Sequence, residues 1–350
     1  MRAGEAALEY INPFEQSNWD EMVEAHPAGS IFHTTMWARV LEEAYGYRPV
    51  YFAVVENGAL RALLPMMEIN SLLTGKRGVS LPFSDYADPF GEDEEQYRSL
   101  VEKAVRYGRD AGWKTVEIRG GMKPWMDSPP SVEFLGHKLD LTRPEKDIYD
   151  SFRKNMKRNI SRSLKEGVSV EISNSAESME EYYKLHCITR QGHGIPPQPI
   201  KFFRKIREHV LQGNRGFVVL SKFQGNIVAG AVYFHYGKKA IYKYGASNPD
   251  GKESRANNLV MWEAIRWYQQ NGFEEFCFGR TEQENEGLRE YKSGYGTTEF
   301  LLPYYKLDIS GNRVVKIDSG GVVGRLQTYY SKVPIPVSRI IGTCLYRHIG

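Results

Sequence analysis

Residues 100–113 read LVEKAVRYGRDAGW, and residues 259–273 read LVMWEAIRWYQQNGF. Each stretch spaces its apolar side chains at helical intervals and ends in a glycine followed by an aromatic residue. Glycine is the usual helix stop, because it turns left-handed without strain. Gly112 and Gly272 lie 160 positions apart. A strand-like run follows each stop, TVEIR at 115–119 and EFCF at 275–278. One helix-glycine-strand unit is common in any α/β protein, but two at a fixed offset point to a repeat.

Outward from these stretches the offset persists. Residues 18–26 (NWDEMVEAH) match residues 178–186 (SMEEYYKLH) in pattern, and both read as short amphipathic helices. Residues 52–58 and 218–225 are apolar runs closed by a polar-glycine turn, and each precedes a second apolar run, 60–67 and 227–236. That is a β-hairpin signature seen twice. The pattern predicts an α/β (α+β) chain made by tandem duplication, each half reading helix, helix, antiparallel hairpin, helix, strand. The expected halves are residues 1–145 and 146–309, joined around 141–166. The tail, 310–350, matches neither copy and is expected to pack on the first.

A length of 350 residues suits two domains. With 41% hydrophobic and 25% charged residues the composition is that of a soluble globular protein. A net charge of +3 argues against a nucleic-acid coat protein, so no DNA partner is expected. Cys187, Cys277 and Cys344 form no CxxC pair, which speaks for a reducing compartment. No His/Cys/Asp cluster has metal-ligand spacing, so neither metal nor cofactor is expected. The first residues lack a signal's apolar stretch and no run reaches transmembrane length. A cytoplasmic protein follows as the expectation. The apolar, basic tail at 325–349 is assigned to docking on the first half, with peripheral contact at the inner membrane face as the alternative.

The second half resembles the FemAB family of peptidoglycan aminoacyltransferases and their relatives in exopolysaccharide clusters. The residues that carry this are RQGHGIPP at 190–197 with Phe202 and Phe203, YKYGAS at 242–247, ANNL at 256–259, Phe278-Gly-Arg280, and GLREYKSGYG at 287–296. In the first half FHTTMW at 32–37 and SLPF at 80–83 agree in pattern. The resemblance implies two GNAT-like acyltransferase domains with mixed sheets, no cofactor, and an aromatic-lysine pair, Tyr291 and Lys292, that contributes to transfer. It also implies an acceptor site in the first domain, where Trp37, Asp85, Tyr86 and Asp88 stand near loops. The long helical hairpin inserted in some members is absent, as in the short ones. The loop 253–259 (ESRANNL) lacks the glycines with which ordinary GNAT enzymes hold the pyrophosphate of acyl-CoA.

Joining an acyl group to an amine needs a positioned carbonyl and positive charge where the oxyanion forms. Lys292, between glycine-rich stretches, is the candidate for that charge. Arg280, at a strand end, suits a carboxylate or phosphate, or else a salt bridge to Glu282, Glu284 or Glu286. Arg190 and His193 flank Gly192 and Gly194 before a stiff Pro-Pro pair and are candidate substrate ligands, as is Tyr244. Asn257 and Asn258 read as helix caps, with ligand contact as a second role. Phe152, Met156, Ile160 and Leu164 form an apolar stripe. Around it Arg153, Lys154, Lys157, Arg158, Arg162 and Lys165 make a candidate anion-binding face, against the plain alternative of a solvated surface.

Three functions are consistent with this reading. The first is an acyl or aminoacyl transferase acting on an amine of an anionic envelope precursor. The second is an N-acyltransferase that modifies exopolysaccharide. The third is a catalytically silent module that binds an anionic envelope intermediate. The donors to distinguish are aminoacyl-tRNA, acyl-CoA and acyl carrier protein.

Overall fold

Both copies of the decisive stretch adopt the same backbone. The computed structural model describes residues 9–85, 87–121, 128–317 and 330–350. The helix Glu94–Asp110 stops at Gly112 (φ 76°) and the helix Ala256–Gln270 at Gly272 (φ 74°). The Trp113 N–H donates to the Gly108 carbonyl at 2.7 Å, and the Phe273 N–H to the Tyr268 carbonyl at 3.1 Å. This is the bond that closes a helix through a left-handed residue. Beyond each stop the chain enters a strand parallel to the one before the helix: Gly75–Val79 pairs with Thr115–Arg119, and Lys239–Ser247 with Glu275–Glu282. The two halves therefore repeat one unit, a helix closed by a left-handed glycine and followed by a parallel strand, within mixed sheets.

The chain divides into two units. One comprises Met1–Phe134, Leu302–Ser319 and Tyr346–Gly350, the other Leu135–Leu301 and Gly320–Leu345. The first opens with β1 (Glu9–Ile11), α1 (Trp19–Ala25) and α2 (Thr35–Tyr45). Then come β2 (Arg48–Pro49), the hairpins β3 (Tyr51–Glu56)/β4 (Ala59–Leu64) and β5 (Met67–Ser71)/β6 (Gly75–Val79), α3 (Glu94–Asp110) and β7 (Thr115–Arg119). Strands β1, β3 and β4 form one sheet; the other runs β2-β5-β6-β7, with residues 304–308 antiparallel to β7. Trp113 anchors this core. A Cβ at Gly78 would lie 2.0 Å from its ring, and its Nε1 donates to the buried Glu68 at 2.7 Å. Burial pushes the Glu68 carboxyl up, but Trp113, Lys76 and Arg48 outweigh it and hold it below the usual carboxylate range.

The second unit takes up β8 (Val132–Asp140) from residue 135, then α4 (Glu145–Ser151), α5 (Lys154–Lys165), β9 (Ser169–Ser173), α6 (Ala176–Gly192) and α7 (Ile200–Ile206). After β10 (Gly216–Phe223), β11 (Asn226–Tyr236) and β12 (Lys239–Ser247) come α8 (Pro249–Glu253), α9 (Ala256–Gln270), β13 (Glu275–Glu282), α10 (Glu286–Ser293) and β14 (Thr298–Asp308). The strand order is β14-β8-β13-β12-β11-β10-β9. Helix α9 buries residues on nearly every side, from Ala256 to Tyr268, and Ile148, Phe152, Met156 and Ile160 of the preceding segment share its core. The chain ends in α11 (Ile335–Ile349). Within the second unit Gly342 of α11 lies against the Pro197 carbonyl, where a Cβ would sit 1.9 Å from the oxygen. Within the first, Tyr47 donates to the Tyr346 carbonyl at 2.9 Å and Arg77 to the His348 carbonyl at 2.8 Å. Among the described residues no helix is long and apolar enough to cross a membrane.

Three expectations need correction. Leu164 is not on the buried stripe but 55% exposed, and Ser163 takes the inward position with its Oγ on the Ser254 carbonyl at 2.6 Å. A spacing of four overshoots the helical repeat by about 40° a step, so a stripe of step four drifts out to solvent. Asn257 and Asn258 are not caps, because α9 begins one residue earlier, after Arg255 in a left-handed conformation (φ 59°). Strand β13 reaches Glu282, so Arg280 lies within it rather than after it.

A Cβ at Gly112 meets nothing within 4 Å and one at Gly272 meets only the Lys238 amine at 3.7 Å, so alanine there costs the left-handed backbone alone. Gly112→Ala and Gly272→Ala should each lower stability by about 1 kcal/mol, with asparagine recovering part of it. Gly78→Ala should cost several-fold more by displacing Trp113. Urea unfolding midpoints would show both.

Candidate active site

The ladder between β12 and β13 pairs Lys239 with Glu275, Ala240 with Phe276 and Ile241 with Cys277, and both strands continue beyond it, to Ser247 and Glu282. On its other edge β12 carries a bulge at Lys243, since Tyr242 pairs with Tyr233 and Tyr244 with Val232. A bulge re-aims the side chains around it, here two tyrosines. On β13 Gly279 adopts φ 68°, which interrupts the regular strand at the point where Lys292 arrives.

Lys292 sits in the last turn of α10, whose start is capped by Asn285 Oδ1 accepting from the Leu288 N–H at 3.1 Å. It is 2% exposed. Its Nζ donates to the Gly279 carbonyl at 3.1 Å and the Arg280 carbonyl at 2.8 Å. An ammonium that deep survives only because strong acceptors replace its water. Beside it runs a chain of hydroxyls. Asn258 Nδ2 donates to the Tyr295 oxygen at 3.0 Å, Tyr295 to the Tyr291 oxygen at 3.3 Å, and Tyr291 to the Asn257 carbonyl at 3.4 Å. Burial raises Tyr291 and Tyr295 well above the ordinary tyrosine range and pushes Tyr242 up to about 12. All three hydroxyls stay protonated at neutral pH.

On the opposite flank stands His137 of β8, fully buried, with Nε2 3.4 Å from Glu299 Oε2. Burial, then the Lys292 and Arg289 cations, push the imidazole down to about 4 against the pull of Glu299, so it is neutral at physiological pH. Glu299 holds Arg289 with both oxygens, at 2.7 and 2.8 Å. Sequence reasoning missed His137, Glu299 and Arg289. For His137 and Glu299 the only signal is strand alternation, which cannot tell one inward polar residue from another, and Arg289 lies within the stretch 287–296 with nothing to mark it apart from its neighbours.

The structure brings Lys292, Tyr291, Asn257, Asn258 and the Arg280 carbonyl together. Asn257 Nδ2 also donates to Ser247 Oγ at 3.1 Å, and Ser247 exchanges hydrogen bonds with Thr189 at 2.9 and 3.0 Å. The ends of α6 and β12, which carry Arg190 and Tyr244, therefore meet the start of α9. Tyr244 packs its ring 5.5 Å from Phe203. His193 is exposed at the end of α6, and partial burial with the Arg190 and Lys252 cations lowers its pKa. Arg153, Lys154, Arg158, Arg162 and Lys165 are exposed and Lys157 partly so, and the Arg153 N–H donates to the Gly294 carbonyl at 2.8 Å. The basic helix thus starts from the turn that follows Lys292. In the first unit Trp37 is fully buried in α2, the Asp85 carbonyl accepts from Tyr304, and Asp88 Oδ1 accepts from the Gly121 N–H at 2.9 Å. Tyr86 lies outside the described residues.

Residues 150–293 match the family model described as an acetyltransferase (GNAT) domain. The UDP-N-acetylmuramoylpentapeptide-lysine N(6)-alanyltransferase of Weissella viridescens is 28% identical over 153 residues, 43% of this chain and 45% of that protein. The match thus spans under half the length of that relative. The lipid II:glycine glycyltransferase of Staphylococcus haemolyticus is 20% identical over 382 aligned positions, covering 83% of this chain and 90% of the other. A crystal structure of FemX superposes with a TM-score of 0.64 at 15% identity, over 85% of this chain and 96% of that one. At that identity the likeness speaks for the fold.

A histidine with ordinary pKa near 6.5 when unfolded and about 4 when folded stays neutral inside while the unfolded chain takes up a proton. Its burial adds nothing above pH 6.5 and destabilises the fold as pH falls from there to about 4, by roughly 3 kcal/mol at the low end. Replacing His137 by glutamine should flatten that part of the stability-pH curve, read by urea titrations between pH 7 and 4 (order of magnitude).

Proposed function

We propose that this chain, FemAB-like in sequence and built on tandem GNAT-like folds, transfers an activated acyl or aminoacyl group to an amine of a cell-envelope precursor. The observation that carries the reading is the Lys292 ammonium, buried against the carbonyls of β13 beside a chain of tyrosine hydroxyls. The acceptor amine attacks the donor carbonyl, a C–N bond forms, and negative charge gathers on the former carbonyl oxygen. Collapse breaks the bond to the leaving oxygen or sulfur, which departs with the proton given up by the amine. Lys292 supplies fixed positive charge for the oxyanion, in surroundings too dry to screen it. Tyr291, Tyr295 and Asn258 fix the wall against which the donor lies. Arg190 and Tyr244 are assigned to substrate binding, and the exposed cations of α5 to the anionic part of a substrate.

A peptidoglycan-precursor acceptor is favoured by the relatives, whose names specify lipid II and the UDP-linked pentapeptide. An RNA-linked aminoacyl donor is favoured over acyl-CoA by the start of α9, where an arginine in a left-handed conformation stands in place of the glycine loop. With such a donor the chain would act on the cytoplasmic side, where charged tRNA occurs.

Assays with purified protein would compare charged tRNA, acyl-CoA and acyl carrier protein against peptidoglycan precursors. Lys292→Met should lower kcat by about 10²–10³ while leaving the fold intact. Unchanged transfer by that variant would sink the assignment. Neutralising Arg158 and Arg162 to glutamine should raise the donor's KM and flatten its salt dependence, since each lost phosphate contact reduces counterion release. An unaltered salt slope would return the helix to an ordinary solvated face.

A further inference from the structure

We propose that Glu299 is the positioning residue for Lys292, holding helix α10 across three strands so that the ammonium stays on β13. In the sheet β14, β8 and β13 are neighbours in that order, and α10 is tied to the two outer ones, β14 through Arg289 and β13 through Lys292. Glu299 of β14 grips Arg289 with both oxygens, His137 of β8 touches Glu299 at 3.4 Å, and Lys292, three residues beyond Arg289, ends on the Gly279 and Arg280 carbonyls of β13. The register that makes this possible is fixed from the other face. Phe300 packs over Gly136, where a Cβ would lie 2.3 Å from its ring, and Lys138 Nζ sits 5.1 Å from the same ring. Alternation along both strands then sets His137 beside Glu299 on the α10 side. The charged and titratable groups facing His137 are Lys292 and Arg289 from α10 and Glu299 from β14.

Two features mark the grip as one for placement rather than for stability. The Arg289 side chain is 50% exposed and Glu299 29% exposed, a setting in which an ion pair adds little to folding. Yet Arg289 and Lys292 share the short helix α10, so a shift at one end moves the other.

The inference rests on the reading of Lys292 as the charge that serves transfer, so its test is read first without substrate. In proton-nitrogen correlation spectra of the lysine ammonium groups, the Lys292 signal is identified by its loss in K292M. In the unaltered protein its protons should exchange slowly with water. In E299Q exchange should quicken about tenfold, with a moved chemical shift and a melting temperature changed by no more than a few degrees, and E299D should restore most of the protection. With substrates, E299Q should lose kcat about tenfold with KM within twofold. An E299Q protein whose Lys292 signal and exchange match the unaltered protein overturns the inference. If the signal responds as stated but no donor supports transfer, positioning stands and the transfer reading fails. Should E299Q not fold, R289Q cuts the same grip at a more exposed residue and carries the same outcomes.

Discussion

The second unit is arranged around the cost of burying one ammonium group. A lysine with 2% of its surface exposed has lost its hydration, and only neighbouring acceptors make that tolerable. Lys292 finds them in two consecutive carbonyls of β13, the first of them on a glycine in a left-handed conformation. Much of the surroundings follows from this. Helix α10 must end over that strand, the next strand must return beside β8, and nearby hydroxyls must stay protonated. A histidine on the far side stays neutral, since a second cation there would repel the ammonium.

The two halves share a frame and differ in what they mount on it. Each has the helix closed by a left-handed glycine and the parallel strand that follows. In the first half the glycine-bordered space is filled by Trp113, tied to Glu68, and the core closes over it. In the second the corresponding aromatic, Phe273, packs among Trp267, Tyr268 and His235. The groups of the candidate site collect instead where β12 and β13 run on past their short ladder. The two scaffolds are alike, and side-chain choice gives the first a closed core at this point.

Much of this was legible in the sequence. The glycine stops, the hairpins and the order of elements were visible because they depend on local backbone rules, and Lys292 could be singled out by its glycine-rich setting. What could not be read were relations among strands distant in sequence. The Glu299–His137–Arg289 set depends on β14 lying next to β8, which no local pattern encodes. Helix α9 lacks the polar face of a surface helix because α4 and α5 cover its outer side, and that cover comes from a segment about a hundred residues earlier. Leu164 misled for the opposite reason: a regular step of four looks like a stripe, but the helix turns faster than that spacing allows.

The sheet of the first unit has an implication for how the protein is made. Strand β7 is complete by residue 119, but its antiparallel neighbour, residues 304–308, belongs to the far end of the chain. During synthesis the first unit must therefore wait with one edge of its sheet open until the intervening residues have emerged, on the order of 10–40 s at ordinary ribosomal speed. An open edge is a template for wrong pairing. The N-terminal half is thus translated first but finished last, and its vulnerable period on the ribosome is set by the length of the domain that follows it.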